Sequence, residues 1–293
     1  MTINTWFRPS GSLAQDGWDV VVGPAIDGWR YSGLRVATLD GEAPPLPAGE
    51  VERMVVPLTG DRFVVLVGDE RHELTGRASP FDGPADVLVA GSGTPVRITG
   101  TGSVAVAEAP TAVRVPTAVL RAGSIPVELR GAGATSRQVH NFGVPGALPA
   151  DRLIVCEVIT PAGNWSSYPA HKHDERRPDE SELEEIYWFA TASSAGAPAE
   201  ADAFAFFATT SSDAGSIETT ALVRTGDVAL VPFGYHGPAA APPGVDLYYL
   251  NVMAGPGERE WRIRDHPAQA WLRETWPNEA VDPRLPYGRR SAS

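Results

Sequence analysis

Two histidines one residue apart, His171 and His173, open the stretch HKHDERRPDESELEEIYWF. Residues i and i+2 of a β-strand share a face and lie roughly 7 Å apart at Cα, so two imidazoles at this spacing can converge on one ion. The stretch ends in Glu184 and Glu185, which lead into the apolar run Ile186-Tyr187-Trp188-Phe189. Adjacent strand residues face opposite sides, so only one of these carboxylates can join the histidines. Glu185 is the expected one. It stands at the mouth of a strand that reads as buried on both faces, where a charge needs a partner or a metal; Glu184 is expected to be solvated. A third histidine, His236, follows Pro232 and Gly234 just past the strand VALVP. Three imidazoles and a carboxylate suit Zn²⁺, Mn²⁺, Fe²⁺ or Ni²⁺. The same alternation turns Lys172, the single lysine among 24 Lys and Arg residues, outward from the histidine face.

The elements that must position these groups are short strands. RFVVLVG, DVLVAG, TPVRITG, SVAVAEA, TAVRVP and IPVELRG form one series; LIVCEVIT, EEIYWFA, AFAFFAT, ETTALVR, DVALVPF and VDLYYLNVMAG form a second. Their spacing and the Gly, Pro and Asp clusters between them predict an all-β chain of sandwiches or barrels. The segment PAQAWLRETW is the best helix candidate, with a proline at its start. The Gly- and Pro-rich stretch 141–151 reads as a linker between two halves, and four of the six histidines fall in the second half.

Composition narrows the function. The net charge of -12 argues against a sequence-independent nucleic-acid binder and against docking on an anionic membrane. No apolar run approaches a membrane span of about 20 residues, and no signal peptide is visible at the N-terminus, so a cytoplasmic protein is expected. The one cysteine, Cys156, lies in the apolar strand RLIVCEV, where a buried structural thiol is expected rather than a nucleophile.

The order H-x-H, then Glu, then G-x5-P-x-G-x-H resembles the two motifs of cupins, with a longer spacer before the glutamate and a shorter one before His236. In both departures it is similar to one cupin branch, the 5-deoxy-glucuronate isomerases of myo-inositol catabolism, which are related to the 5-keto-4-deoxyuronate isomerases of pectin breakdown. The segments RGAGATSRQVHNF, GNWSSYPAHKHD, LEEIYWF, GDVALVPFGYHGPAAAPPGVDLYYLNVMAGP and WRIRDHP carry the resemblance, across residues 130–267; GLRVATLDGE adds weaker support. The resemblance implies a bicupin, two jelly-roll β-barrels with few short helices. Residues 1–145 would form a cupin-like barrel without a metal site. Residues 146–293 would form a barrel holding a divalent ion (Zn, Mn or Fe) through His171, His173, Glu185 and His236. It also implies a homo-oligomer, of the kind that related bicupins build through sheet edges, and conversion of 5-deoxy-D-glucuronate to 5-dehydro-2-deoxy-D-gluconate.

Such an isomerisation passes through an enediolate, so it needs a charge-stabilising ion and a proton-transfer group. Tyr249, Glu184, Tyr248 and a metal-bound hydroxide are the candidates for the base, with Tyr249 and Glu184 put first. On VDLYYLNVM, Tyr249 shares a face with Asn251 and Tyr248 with Asp246; Asn251 and Tyr248 are candidate substrate contacts. The substrate's carboxylate calls for a cation, and Arg137 in RGAGATSRQVHNF is the candidate. An Fe-dependent cupin dioxygenase and a non-catalytic sugar-binding bicupin are the competing readings.

Overall fold

The computed structural model describes residues 6–198 and 200–288. The fold is all-β, a bicupin of two barrels in which the described helical turns are all short 3-10 segments. The first barrel is built on an eight-stranded sheet. Its path runs Val20–Val22, Gly33–Glu42, Val96–Pro110, Val51–Pro57, Val87–Ala90, Ala118–Leu120, and Gly60–Val67 joins Val96–Pro110 to Glu70–Arg77. The second barrel packs a seven-stranded sheet against a six-stranded one. The larger sheet runs Phe7–Arg8, Val228–Val231, Glu184–Ser193, Val245–Ala254, Ile154–Thr160, Arg137–Gly143, Val127–Arg130. In the smaller, the path Thr219–Val223, Ala205–Thr210, Tyr235–Ala240, His171–Lys172, Arg264–Asp265 is joined by Trp165–Ser166.

The expected division at residue 145 cuts across hydrogen-bonded strands. Arg137–Gly143 and Ile154–Thr160 are antiparallel neighbours in one sheet, so 141–151 is the connection of a strand pair and not an interdomain linker. Glycine and proline mark both kinds of segment. Val127–Arg130 also belongs to the second barrel, as does Phe7–Arg8, which crosses from the chain's start to pair with Val228–Val231. The expected helix at PAQAWLRETW is also smaller than its pattern: it is a 3-10 turn over Ala270–Glu274 followed by another at Trp276–Asn278, with Pro277 denying the continuing backbone donor.

Three apolar cores explain the strand sequences. One fills each barrel; the third lies between the barrels. Ile154–Thr160, Glu184–Ser193 and Val245–Ala254 form the shared wall. Ile154, Cys156 and Val158 face into the second barrel, while Val155 and Ile159 face the first. Burial of both faces is the reason these strands read as nearly continuous apolar runs. The barrels are also tied by buried carboxylates. Glu52 accepts from the backbone N–H groups of Asp151, Arg152 and Leu153 at 2.6–2.7 Å, and Glu157 of the second barrel binds Arg77 of the first through two hydrogen bonds of 2.7 and 2.6 Å.

Candidate metal centre and substrate cavity

His171 and His236 lie in the smaller sheet, His173 directly follows the strand His171–Lys172, and the carboxylate comes from the larger sheet. His171 lies directly across from His236 on neighbouring strands, and their rings are 4.5 Å apart. The His173 and His236 rings are 4.7 Å apart. Glu185, on the facing sheet, places Oε2 2.9 Å from His173 Nε2 and 3.1 Å from His236 Nε2. The ligand-bearing atoms of His173, Glu185 and His236 all lie within 4.8 Å of one another, and His171 flanks this group.

The ring orientations test whether a metal fits. Each Nδ1 faces a backbone carbonyl: His171 that of Pro169 at 3.4 Å, His173 that of Leu183 at 3.1 Å, His236 that of Gly234 at 3.2 Å. A proton on Nδ1 leaves the Nε2 lone pair aimed at the centre, the arrangement of metal-binding imidazoles. His236 Nε2 is buried and, although close to Glu185, makes no well-directed hydrogen bond. Lone pairs and a carboxylate aimed at one another inside a barrel repel unless a cation lies between them. The donor set therefore fits a divalent ion. Burial, and then His236 beside it, holds the His171 pKa well below the ordinary imidazole value. Burial would raise Glu185, but His236 and His173 outweigh it and hold the carboxyl well below the usual range; burial would lower His173, but its hydrogen bond to Glu185 outweighs this and raises it, so a bound cation would take the place of the proton shared by that pair.

Register carries this face toward the other end of the barrel. Tyr187 lies across from Asn251, which lies across from Cys156; Phe189, Tyr249, Val158, Val139 and Glu128 form the next row. Arg137 is two residues from Val139 on the same inner face, opposite Arg130. Tyr249 and Asn251 thus line the same interior as the histidines. Asn251 Nδ2 is buried without a hydrogen-bond partner among the described residues. Ser167 Oγ joins the Tyr249 and Tyr187 hydroxyls at 3.2 and 3.3 Å, and burial raises the pKa of both phenols, which keeps both hydroxyls protonated at neutral pH.

Arg137 is 4% exposed, yet among the described residues it pairs with no carboxylate. Its Nη1 donates to Thr135 O at 3.0 Å and its guanidinium lies 5.3 Å from the Trp276 ring centre. Arg130, by contrast, is held in a fork by Glu128. Burial lowers the Arg137 pKa to about 10. Gly131, with φ +79°, makes the room: a Cβ there would come within 2.7 Å of Arg137 Nη1 and 2.2 Å of Thr135 O. A buried guanidinium without an anion is a place for one.

Two sequence candidates face away. Glu184 is not solvated. It points to the first barrel, where its carboxylate accepts from the N–H groups of Arg30, Tyr31 and Ser32 at 3.1, 2.6 and 2.6 Å. Tyr248 also lies on the inter-barrel face, donating to Glu157 Oε2 at 2.6 Å. Neither reaches the metal centre, because each is offset by one residue from a side chain that does. Lys172 is turned off the histidine face as alternation requires, but it is buried at 4% exposure and not solvated. The segment after His173, the longer spacer before the glutamate, is a hairpin of Asp174–Arg177 and Glu180–Glu182. Cys156 is buried, and burial pushes its thiol up. Tyr187 and Ser167 were not singled out by the sequence; Tyr187 is two residues from Glu185, so the alternation that selected Glu185 also pointed to it.

Comparisons with known proteins agree with this architecture. The model of the KduI/IolB family matches residues 6–272. A 5-deoxy-glucuronate isomerase of Geobacillus kaustophilus is 38% identical over 272 residues, covering 91% of this chain and 95% of its own. The crystal structure of an IolB-like protein from Salmonella typhimurium superposes with a TM-score of 0.81 at 32% identity, over 92% of this chain and 99% of the other. Oxalate decarboxylase of Lactobacillus farciminis, in a formate complex, shares the fold alone, with a TM-score of 0.61 at 11% identity over 90% and 89%.

Proposed function

The chain belongs to the KduI/IolB family, and on that premise we propose that it is a 5-deoxy-glucuronate isomerase, an aldose–ketose isomerase that yields 5-dehydro-2-deoxy-D-gluconate, with its chemistry inside the second barrel. The observation that carries the reading is the inward-facing set of three imidazoles and Glu185 on the same interior as an uncompensated buried arginine. A divalent ion held by His171, His173, Glu185 and His236, of the Zn, Mn or Fe type, would supply Lewis-acid stabilisation of the charge that develops on the substrate oxygens. The protein's own groups do the rest. Arg137 takes the substrate carboxylate, and Asn251 Nδ2 donates to a hydroxyl. Tyr249, linked through Ser167 to Tyr187, holds and returns a proton at its Oη.

Incubating the purified protein with 5-deoxy-D-glucuronate, with and without chelator, tests the reading. Conversion that chelation stops supports it. No conversion in any metal-loaded form refutes it, and conversion with oxygen uptake would indicate a dioxygenase instead. Two substitutions follow from the assigned roles. Tyr249→Phe lowers kcat about a hundredfold by removing one proton-transfer group, with metal content unchanged; a wild-type kcat contradicts the role. Arg137→Met lowers kcat/KM roughly tenfold to a hundredfold, mainly through KM, the worth of charged hydrogen bonds to a carboxylate. It does not lower the unfolding temperature of the substrate-free protein, because the buried charge it removes has no carboxylate partner among the described residues, and that gain offsets the lost hydrogen bond to Thr135 O. An equal loss on an aldose lacking the carboxylate contradicts the assignment.

The described residues contain no helix long and apolar enough to cross a membrane. We take the enzyme to act in the cytoplasm as a homo-oligomer. The edge strand Val127–Arg130, with Val127 45% and Leu129 36% exposed, supports assembly, and native mass measurement checks it.

A further inference from the structure

The only lysine of the chain stands between two of the three histidines and has no place in the chemistry above. Its ammonium is enclosed by three carboxylates, with Asp174 Oδ1 at 2.5 Å, Glu175 Oε2 at 2.8 Å and Glu180 Oε1 at 2.8 Å. Glu180 Oε1 also accepts from the backbone N–H groups of Asp174 and Glu175 at 2.9 and 3.2 Å, which holds the chain just beyond His173. The other oxygen of Asp174 crosses to the segment bearing the third histidine. There it accepts from Gly234 N at 2.7 Å and from Ser212 Oγ at 2.5 Å. Gly234 in turn presents the carbonyl that faces His236 Nδ1 at 3.2 Å. One unbroken path of contacts therefore runs from the lysine between His171 and His173 to the ring of His236.

The path depends on the cation. Carboxylate oxygens of Asp174, Glu175 and Glu180 lie within 4.8 Å of one another. Arg177 reaches only Glu175, at 2.6 Å, and Arg264 is 3.9 Å from Glu180. Without the ammonium, like charges this close repel and move apart. That separation shifts Asp174, the member that grips Gly234. Strand alternation keeps Lys172 off the interior face, so it cannot touch substrate.

We propose that Lys172 is a positioning residue: its ammonium, caged by Asp174, Glu175 and Glu180, locks the His171–His173 strand to the His236 segment and so sets the metal affinity of the centre. This rests on the reading of His171, His173, Glu185 and His236 as metal ligands. Groups that orient metal ligands indirectly typically change affinity ten- to a hundredfold.

The test strips full-length wild type, Lys172→Met and Lys172→Arg with chelator, confirms folding by circular dichroism, and titrates each with Mn²⁺ and with Zn²⁺. Lys172→Met is expected to bind ten- to a hundredfold more weakly. At saturating metal its KM for the sugar acid stays within twofold of wild type. Lys172→Arg recovers part of the affinity, because it keeps the charge without fitting the compact cage. Should Lys172→Met not fold, Ser212→Ala removes only the hydroxyl at the Asp174 end and is expected to weaken metal binding severalfold. Wild-type affinity in the folded variants overturns the proposal while leaving the metal centre intact. A wild-type protein that takes up neither ion overturns both.

Discussion

Replacing His236 with alanine should strip the protein of its bound metal and lower kcat/KM by roughly a thousandfold or more. The magnitude follows from what a Lewis acid contributes. Several kcal/mol of transition-state charge stabilisation are lost with the ion, and each 1.36 kcal/mol is a factor of ten. His236 is the ligand to test first, because its Nε2 is buried and has no well-directed partner among the described residues, whereas His173 shares a hydrogen bond with Glu185. The alanine variant forfeits one Nδ1 contact to Gly234 and some ring packing, and therefore stays folded. Metal analysis of the purified variant, read beside its circular dichroism, decides the matter. Full metal occupancy in folded His236→Ala protein would remove His236 from the ligand set, and an empty site with wild-type turnover would remove the metal from the reaction.

The grouping of these four side chains was legible in the sequence because metal chemistry restricts residue types and strand alternation restricts faces. His171 and His173 need only a period of two, and Glu185 is preferred to Glu184 because it leads into the buried strand. What alternation could not supply was the nature of the other face. Glu184 was correctly turned away from the histidines, but the space it turns into is the first barrel and not water. Its partners there are the backbone N–H groups of Arg30, Tyr31 and Ser32, which leave no signature in side-chain type. Tyr248 and Lys172 carry the same lesson, one buried between the barrels and the other inside a cage of acidic side chains. The strand pair around residues 141–151 was read as a domain boundary for a related reason: a turn within a sheet and a linker between sheets use the same glycines and prolines.

Breaking the buried contact between Arg77 and Glu157 should lower stability more than any other single side-chain change between the barrels. Glu157 is 1% exposed and accepts two bonds from Arg77, one from His140 Nδ1 at 2.6 Å and one from the Tyr248 hydroxyl at 2.6 Å. Gln138 Nε2, 2.7 Å from His140 Nε2, fixes the tautomer with the proton on Nδ1. Arg77→Met leaves the carboxylate buried without its cation, and Glu157→Gln leaves the guanidinium buried without its anion. Each is expected to cost about 3–5 kcal/mol and to lower the unfolding temperature by about 10 °C. The double variant Arg77→Met/Glu157→Gln buries no net charge, and the glutamine can accept from His140 Nδ1 through its carbonyl oxygen and donate its NH2 to the Tyr248 hydroxyl oxygen, so it should recover most of the loss. Acid unfolding gives an independent reading. Burial would raise the Glu157 pKa, but Arg77 and the His140 hydrogen bond outweigh it and hold the carboxyl at about 2, against an ordinary value of 4.5. Because the folded value is the lower one, the stabilisation is complete above pH 4.5 and is lost as pH falls through 2, an effect of about 3 kcal/mol. In Arg77→Met that acid limb should flatten. Calorimetry from pH 7 down to pH 2 measures both effects, and single variants that unfold at the wild-type temperature with the wild-type pH slope would show that this ion pair does not hold the barrels together.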